Sequence, residues 1–424
     1  MQAIGAFSLN LTKEGINLDI NISGKTSGVL LACVLLSNSV IAEEGLLGIQ
    51  GKNIGPGSIY PDLTLKTVHD DNITRSAFNE IESFGLLVSP HLNYEIKNNK
   101  KRFYIDSMLE SMTYEGSGQD DYLDTRLQTG YEYTPTRRTF VGIQGEYFKS
   151  HDDRGTGQSE GVGNLVTTPD KWHHYMIEGN GRYGTEKSKG RGELDLGYIS
   201  KEYDNHRSRT FVRDRDDTYA NARFYYRLMP KTSLLIEGRF TDFNYDQDAT
   251  GIPSLDSDLY RILAGVTWKS TFKTTGTATI GYIQKDFDSG SRDDDGDFTW
   301  EVGVEWRPRT YSIFTLNTSR DYLETNGFGD FIKEDSVDAG WTHQWHKVSP
   351  RLSSSVDFRY AEDTYPDTGT GREDDYWNVG VAVNYKMRRW LDISGGYTYD
   401  ERDSNINLLD YDRNFFELSV NVAL

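Results

Sequence analysis

From about Tyr60 to the last residue the chain repeats one unit. A segment of roughly ten residues alternates apolar with polar, a turn follows, and the turns alternate between two kinds. One kind is short and basic, as in Pro135-Thr136-Arg137-Arg138 and Arg307-Pro308-Arg309. The other is long and acidic, as in Ser291-Arg292-Asp293-Asp294-Asp295-Gly296-Asp297. A period of two is that of a strand with one apolar face. A soluble sheet has no reason to sort its turns by length and charge, whereas a barrel that crosses a membrane does, because its turns lie on opposite sides. The expectation is an all-β fold: a transmembrane, antiparallel, up-and-down β-barrel with short periplasmic turns and long acidic extracellular loops.

The strand segments read as Tyr60–His69, Leu86–Ile96, Arg102–Tyr114, Tyr122–Tyr133, Thr139–Lys149 and Trp172–Tyr183, then Glu193–Tyr203, Tyr219–Leu228, Ser233–Tyr245, Leu259–Trp268, Thr275–Phe287 and Phe298–Trp306. Ile313–Tyr322, Ser336–Trp345, Leu352–Tyr360, Tyr376–Tyr385, Leu391–Tyr399 and Phe415–Leu424 complete about 18 strands. An even number places both chain ends in the periplasm. Trp377, Val379, Val381, Val383 and Tyr385 share one face, as do Phe298, Trp300, Val302, Val304 and Trp306. Aromatic rings at both ends with aliphatics between form the girdle pattern of strands crossing a hydrocarbon layer ~25 Å tall. In a soluble sandwich the rings would gather mid-strand, where the core is deepest. Phe416, Leu418, Val420, Val422 and Leu424 alternate to the terminus, the kind of final strand that outer-membrane assembly machinery reads, although Leu424 replaces the usual terminal aromatic.

Composition agrees. Hydrophobic residues are 36% and mean hydropathy is −0.65, so no helix supplies the ~20 apolar residues a span requires. A barrel needs apolar residues on its outer face alone. The net charge of −19 argues against nucleic acid as a partner, since phosphates demand a basic surface. The one strongly apolar run, Gly28 to Ala42, follows Lys25 and ends Val40-Ile41-Ala42 before Glu43-Glu44. It reads as a secretory signal over 1–42 cleaved after Ala42, with a periplasmic segment over 43–59 and the barrel over 60–424. The stretch before Lys25 is long and not notably basic, which points to a true translation start downstream of Met1. Cys33, the single cysteine, lies inside the signal, and the run before it is too short for a lipoprotein signal. The processed chain then has no disulfide and no thiolate metal site.

The polar faces carry both signs. Arg126, Arg182, Arg223, Arg227, Arg239, Arg261, Arg307, Arg359 and Lys386 stand against Glu132, Glu146, Glu178, Glu193, Asp195, Glu237, Glu301, Glu305 and Asp357. Glu237 with Arg239, Glu305 with Arg307, and Asp357 with Arg359 lie two apart on one face, where pairing along or across strands is open to them. A channel for a highly charged solute would show one sign; this lining neutralises itself. Tyr104, Tyr225 and Phe415 fall on the same face beside Asp106 and Glu417, as rings that line a wet interior. About 18 strands enclose a wide lumen, and the longest loops are the candidates to constrict it. Asp152–Lys171 carries Gly155, Gly157, Gly161 and Gly163, and Glu324–Glu334 carries two Phe and two Gly. Either could fold inward or project outward.

Tyr60-Pro61-Asp62-Leu63-Thr64-Leu65-Lys66-Thr67-Val68-His69-Asp70-Asp71-Asn72-Ile73 resembles the opening strand and first loop of the putative β-barrel porin type 2 family. His151-Asp152-Asp153-Arg154-Gly155-Thr156-Gly157 resembles the loop after strand five of that family. The likeness covers the chain beyond the signal. It implies a Gram-negative outer-membrane barrel in contact with outer-membrane lipid, and passage of an exopolysaccharide or capsular polysaccharide alongside a periplasmic and inner-membrane export apparatus. A general or solute-specific diffusion porin and a non-conducting surface or adhesion barrel are the alternatives.

Enzymatic readings fail on motif. His151, His173, His174, His206, His343 and His346 belong to no nucleophile pattern such as G-x-S-x-G. The Asp293–Asp297 run lacks the spacing and closing Glu of a calcium loop. His173 and His174 point to opposite faces of one strand and so cannot share a metal. No catalytic, cofactor or metal residue is expected.

Overall fold

The computed structural model describes residues 9–12, 15–18 and 51–423, apart from 249–250, 272, 367–368 and 370. The apolar run, Cys33, the cleavage point after Ala42 and Leu424 lie outside the described residues. Leu9–Thr12 and Gly15–Leu18 pair as a separate two-stranded sheet.

The alternating segments form long strands: β1 (Gly57–Asp70), β2 (Ser83–Lys97), β3 (Lys101–Glu115), β4 (Tyr122–Thr136), β5 (Thr139–Asp152), β6 (Asp170–Tyr183), β7 (Gly190–Tyr203), β8 (Arg215–Met229) and β9 (Thr232–Tyr245). The second half supplies β10 (Ser257–Thr271), β11 (Thr274–Phe287), β12 (Asp295–Arg309), β13 (Ser312–Glu324), β14 (Phe331–Gln344), β15 (Leu352–Thr364), β16 (Glu373–Arg388), β17 (Leu391–Ser404) and β18 (Tyr411–Ala423). Each pairs antiparallel with its neighbours, and β18 returns to β1 from Phe415↔Asp70 to Ala423↔Asp62, closing an 18-strand barrel. A short strand, Lys52–Ile54, folds back on the start of β1.

Every expected strand is present, and most run further toward the long loops than the apolar signal does. β16 begins at Glu373, three residues before Tyr376, and spans 16 residues, more than the 9–11 that a bilayer requires. On its outward face Trp377, Val379, Val381, Val383 and Tyr385 are exposed, and Asp375 and Glu373 continue beyond them. The ladder therefore extends past the apolar belt, and the extension reads as polar. Tyr360 donates to Asp375 at 2.7 Å and Tyr399 to Glu401 at 3.1 Å, which marks where outer rings meet the polar zone. Most connections at the other end are of two or three residues, with 184–189 and 345–351 longer, and Pro135 and Pro308 sit where the register shifts between Tyr133 and Thr136 and between Trp306 and Arg309. A proline costs no ladder bond in such a bulge.

The expected loop Glu324–Glu334 is shorter than the sequence suggested, because Glu324 and Phe331–Glu334 belong to the flanking strands. The connection is 325–330, and Phe331 is fully buried against Tyr322 and Phe287, because its ring completes an apolar cluster with Ile283.

The seam between first and last strands is pinned by charge. Arg413 donates to Asp70 through Nε at 2.9 Å and Nη2 at 2.6 Å, with both side chains buried. Asp71 and Asn414 exchange further bonds, including Asn414 N to Asp71 Oδ1 at 2.6 Å. Asp70→Asn takes the charge out of this buried pair, while the longer Asp400 contact to Arg413 at 3.3 Å remains. It should destabilise closure by on the order of 3 kcal/mol. The expected result is a lower temperature for the heat-modifiable shift in gel mobility; an unchanged midpoint would show that the seam does not depend on this pair.

Candidate functional site: the lumen and its mouth

Inward side chains alternate with the exposed outer belt along each strand, so the lining is fixed by register. Its middle is a charge network on neighbouring strands. Arg223 of β8 meets Asp195 at 2.5 Å and Glu193 at 3.3 Å on β7. Arg239 of β9 bonds Glu237 at 2.7 Å and reaches over two strands to Glu301 of β12 at 2.5 Å. Arg261 of β10 shares Glu301 at 3.0 Å and also contacts Asp321 of β13. Leu263 and Ile283, register partners of Glu237 and Arg261, are fully buried. Arg126 pairs with Glu146 at 2.6 Å, Arg307 with Glu305 at 2.6 Å, and Glu417 with Lys66 at 3.0 Å. Much of the wall is neutralised locally, by partners on the same or nearby strands.

Asp357 and Arg359 do not pair. Arg359 is drawn to Asp338, directly opposite it on β14, at 3.0 Å and to Glu334 at 2.8 Å, and Asp357 Oδ2 has no hydrogen-bond partner among the described residues. Arg227 has no side-chain partner among the described residues.

The inward rings divide. Tyr104 lies against Gly130 of β4, where a Cβ would come within 2.5 Å of the ring, and Arg102 stands 4.6 Å over it. Arg191 stands 4.1 Å over Tyr225, and Arg182 stands 5.3 Å over Phe140. Tyr219 lies on Gly197 and donates to Glu178 at 2.6 Å. Phe415, in contrast, is no lining platform. It is 8% exposed and packs with Val68, Leu87 and Met112, because side chains of β1, β2 and β3 close around it beside the seam.

The loop 153–169 between β5 and β6 folds inward. Arg154 is buried and donates to Asp120 Oδ1 at 2.7 Å, Ser117 Oγ at 2.8 Å and Val166 O at 3.1 Å. Gly155 packs so tightly on the β1–β2 loop that a Cβ would lie 1.9 Å from Thr74 O, and its φ of +80° is one a side chain rarely adopts. Asn164 donates to Phe78 O at 3.0 Å. Glu160 at the tip then reaches Arg372, just before β16, at 2.7 Å and Arg402 on β17 at 3.3 Å. A segment rooted between β5 and β6 thus crosses the mouth to the wall at β16–β17.

Several residues here escaped the sequence reading. His91 of β2 bridges Asp62 at 2.6 Å and Asp106 at 2.9 Å on its two neighbouring strands, where each imidazole nitrogen meets a carboxylate. Its position between inward acids was visible in the register. Lys201 is buried 4.6 Å over Trp172 and 4.4 Å over Tyr203. His174 faces inward to Glu146 at 2.9 Å while His173 meets Asp204 at 2.8 Å, so the two histidines do point apart.

The family described as putative beta-barrel porin 2 matches residues 47–424. No curated protein matches the sequence. Among solved structures the chain is similar to OccAB4 of Acinetobacter baumannii, at 13% identity and TM-score 0.48, covering 88% of this chain and 99% of that one. OpdQ of Pseudomonas aeruginosa gives 13% and 0.48 over 88% and 100%, and the siderophore receptor PirA of Acinetobacter baumannii gives 7% and 0.45 over 88% and 81%. These scores are too low for the likeness to bear on what passes through the lumen.

Two outcomes follow from how the loop is held. Gly155→Ala should lift the loop off Thr74, which raises single-channel conductance in planar bilayers and exposes Arg154 to trypsin while the barrel stays heat-modifiable; unchanged conductance would mean that the loop does not limit flow. Burial alone would raise the Asp153 carboxyl, but the Arg75 guanidinium at 3.1 Å and the His151 ring hold it well below the usual carboxylate range. A carboxyl lowered in the folded state stabilises above its unfolded value of ~3.9, and that stability is lost as pH falls through the lower folded value. Asp153→Asn should therefore loosen the loop at neutral pH, and its conductance should converge with that of the unmodified protein only below about pH 4.

Proposed function

Since the chain belongs to the putative beta-barrel porin 2 family and folds as a porin-like barrel of the outer membrane, we propose that it is the conduit through which a polysaccharide leaves the cell. The observation that carries this reading is the character of the lining. Inward rings at Tyr104, Phe140, Tyr219 and Tyr225 are spread over β3 to β8, each beside a charged group, and most central charges are already paired. A sugar polymer offers apolar ring faces and many hydroxyls. Aromatic rings and hydrogen-bonding groups of both kinds suit it, and a wall without one dominant sign holds no segment tightly enough to stop it. Entry from the short-turn end would place a periplasmic or inner-membrane export apparatus as the partner, and insertion would proceed through the β18 strand.

A diffusion channel for small solutes is the second reading. The observation in its favour is the loop that crosses the mouth, since a constricted lumen passes small solutes more readily than a chain.

Deleting the gene should abolish or sharply reduce secreted polysaccharide, with restoration by the unmodified gene; secretion at normal levels would end the export reading and leave the diffusion channel, whose solute permeation is measurable in liposome swelling. Replacing Tyr104, Tyr219 and Tyr225 by Ala one at a time should alter secretion modestly, and replacing all three should impair it several-fold while the barrel stays folded. Loss of secretion from a single such change would put a discrete binding site in place of a distributed path. For orientation, in a Cys33→Ser background a cysteine at Asp294 should label in intact cells with an impermeant reagent and one at Arg138 should not. The reverse pattern would invert the barrel.

A further inference from the structure

Glu160 enters a seat whose hydrogen-bonding capacity exceeds what it supplies. The guanidiniums of Arg372 and Arg402 are both buried, at 0% and 2% exposure, and converge on its carboxylate, with Nη2 of Arg372 at 2.7 Å and Nη1 of Arg402 at 3.3 Å. Rings wall the seat: Tyr365 lies 3.9 Å and Phe328 4.7 Å from the Arg372 guanidinium, and Tyr411 lies 5.0 Å from that of Arg402. Arg372 has a second carboxylate in Asp374, whereas Glu160 is the one carboxylate Arg402 meets among the described residues. After these bonds are made, Arg372 Nη1 and Arg402 Nη2 have no acceptor among the described residues, though both are buried. Buried donors without acceptors are costly. The seat has room in its chemistry for an anion with more oxygen atoms than one tethered glutamate presents.

The occupant arrives on a loop that starts elsewhere on the barrel and is jointed by Gly155, Gly157 and Gly161, all at positive φ. A carboxylate delivered on such a tether, into two guanidiniums and an aromatic wall, has the form of a stand-in for a ligand. We propose that the seat formed by Arg372 and Arg402 binds the carboxylate of an acidic sugar, a uronate unit, and that an arriving uronate displaces Glu160 and releases the loop from the mouth. This rests on the polysaccharide reading and gives its substrate class. The carboxylate matches the guanidinium fork, the sugar ring faces match Tyr365, Phe328 and Tyr411, and ring hydroxyls match the unfilled donors. The paired charges along the wall leave the passage itself unselective, so discrimination falls to the mouth.

Competition with a tethered group sets a further condition. Glu160 is present at an effective concentration on the order of mM. A free monovalent carboxylate must exceed that, whereas a polymer presents one carboxylate after another and competes on equal terms.

The test uses the purified barrel in planar bilayers with three probes on the long-loop side: oligogalacturonate, acetate at the same carboxylate concentration, and neutral maltoheptaose. Oligogalacturonate should raise conductance several-fold, and the other two should not. Glu160→Gln should conduct at the raised level with no probe added. In that background oligogalacturonate should still bind, seen as transient current block, and adding Arg402→Gln should weaken the block at least several-fold. Should the doubly changed barrel fail to show heat-modifiable mobility, Arg402→Lys, which keeps the charge and loses the fork, serves instead with the same expectation. The proposal is overturned if Glu160→Gln conducts like the unmodified protein, if maltoheptaose acts like oligogalacturonate, or if the block is indifferent to Arg402. A gene deletion that stops secretion of a neutral polymer, with uronates inert in the bilayer, would keep the export reading and sink this one.

Discussion

Hydrocarbon offers no partner for a backbone N–H or C=O, so a strand that enters it must be bonded on both edges. Everything else in this molecule hangs on that condition. Strands β2 to β17 meet it through their sequential neighbours, and β1 and β18 can meet it only through each other, across most of the chain's length. The Arg413–Asp70 pair and the Asp71–Asn414 exchange stand at the loop-side end of that one non-local seam. Closure at this strand number also creates the problem that the interior must solve, because the enclosed space is too wide for facing walls to fill by touching.

The interior answer is lateral. Arg239 crosses two strands to reach Glu301, and Arg261 does the same to Asp321, so these cations are met along the wall by a neighbour within a few strands. Such pairs add little stability where water reaches them and more where they are buried. They also cancel the field that a row of arginines would otherwise project into the lumen. The loop 153–169 is the exception, since its contacts run across the mouth, where the guanidiniums of Arg372 and Arg402 are left incompletely bonded among the described residues.

Most of the fold was legible because period two, repeated with turns of two kinds, admits few solutions. The strand ends were not, because beyond Trp377 the outward residues are Asp375 and Glu373, and an acid on the outer face looks the same whether it sits in a loop or in a ladder. Alternation placed Phe415 on the inner face, but period two carries no information about what packs on top, and Val68, Leu87 and Met112 come from other strands. Asp357 and Arg359 looked like partners at a spacing of two; the direct cross-strand neighbour Asp338 is nearer to hand for a guanidinium. The glycines of the fifth loop advertised a capacity to bend inward. Where Glu160 would land, 212 residues along at Arg372, no local pattern could say.

The overshoot of the strands past the apolar belt has a mechanical consequence. Arg402 lies beyond Tyr399 on β17, and Arg372 directly precedes β16, beyond its Trp377, so the crossing loop docks at a collar of sheet that stands above the hydrocarbon layer. Rearrangement at that height changes no surface that lipid touches. The bilayer therefore exerts no line tension or thickness-dependent bias on the position of the loop, and the energetics of insertion and of occlusion are separable. A collar of this kind lets the mouth be remodelled by substitution, even radically, in a barrel whose partition into the membrane stays as it was.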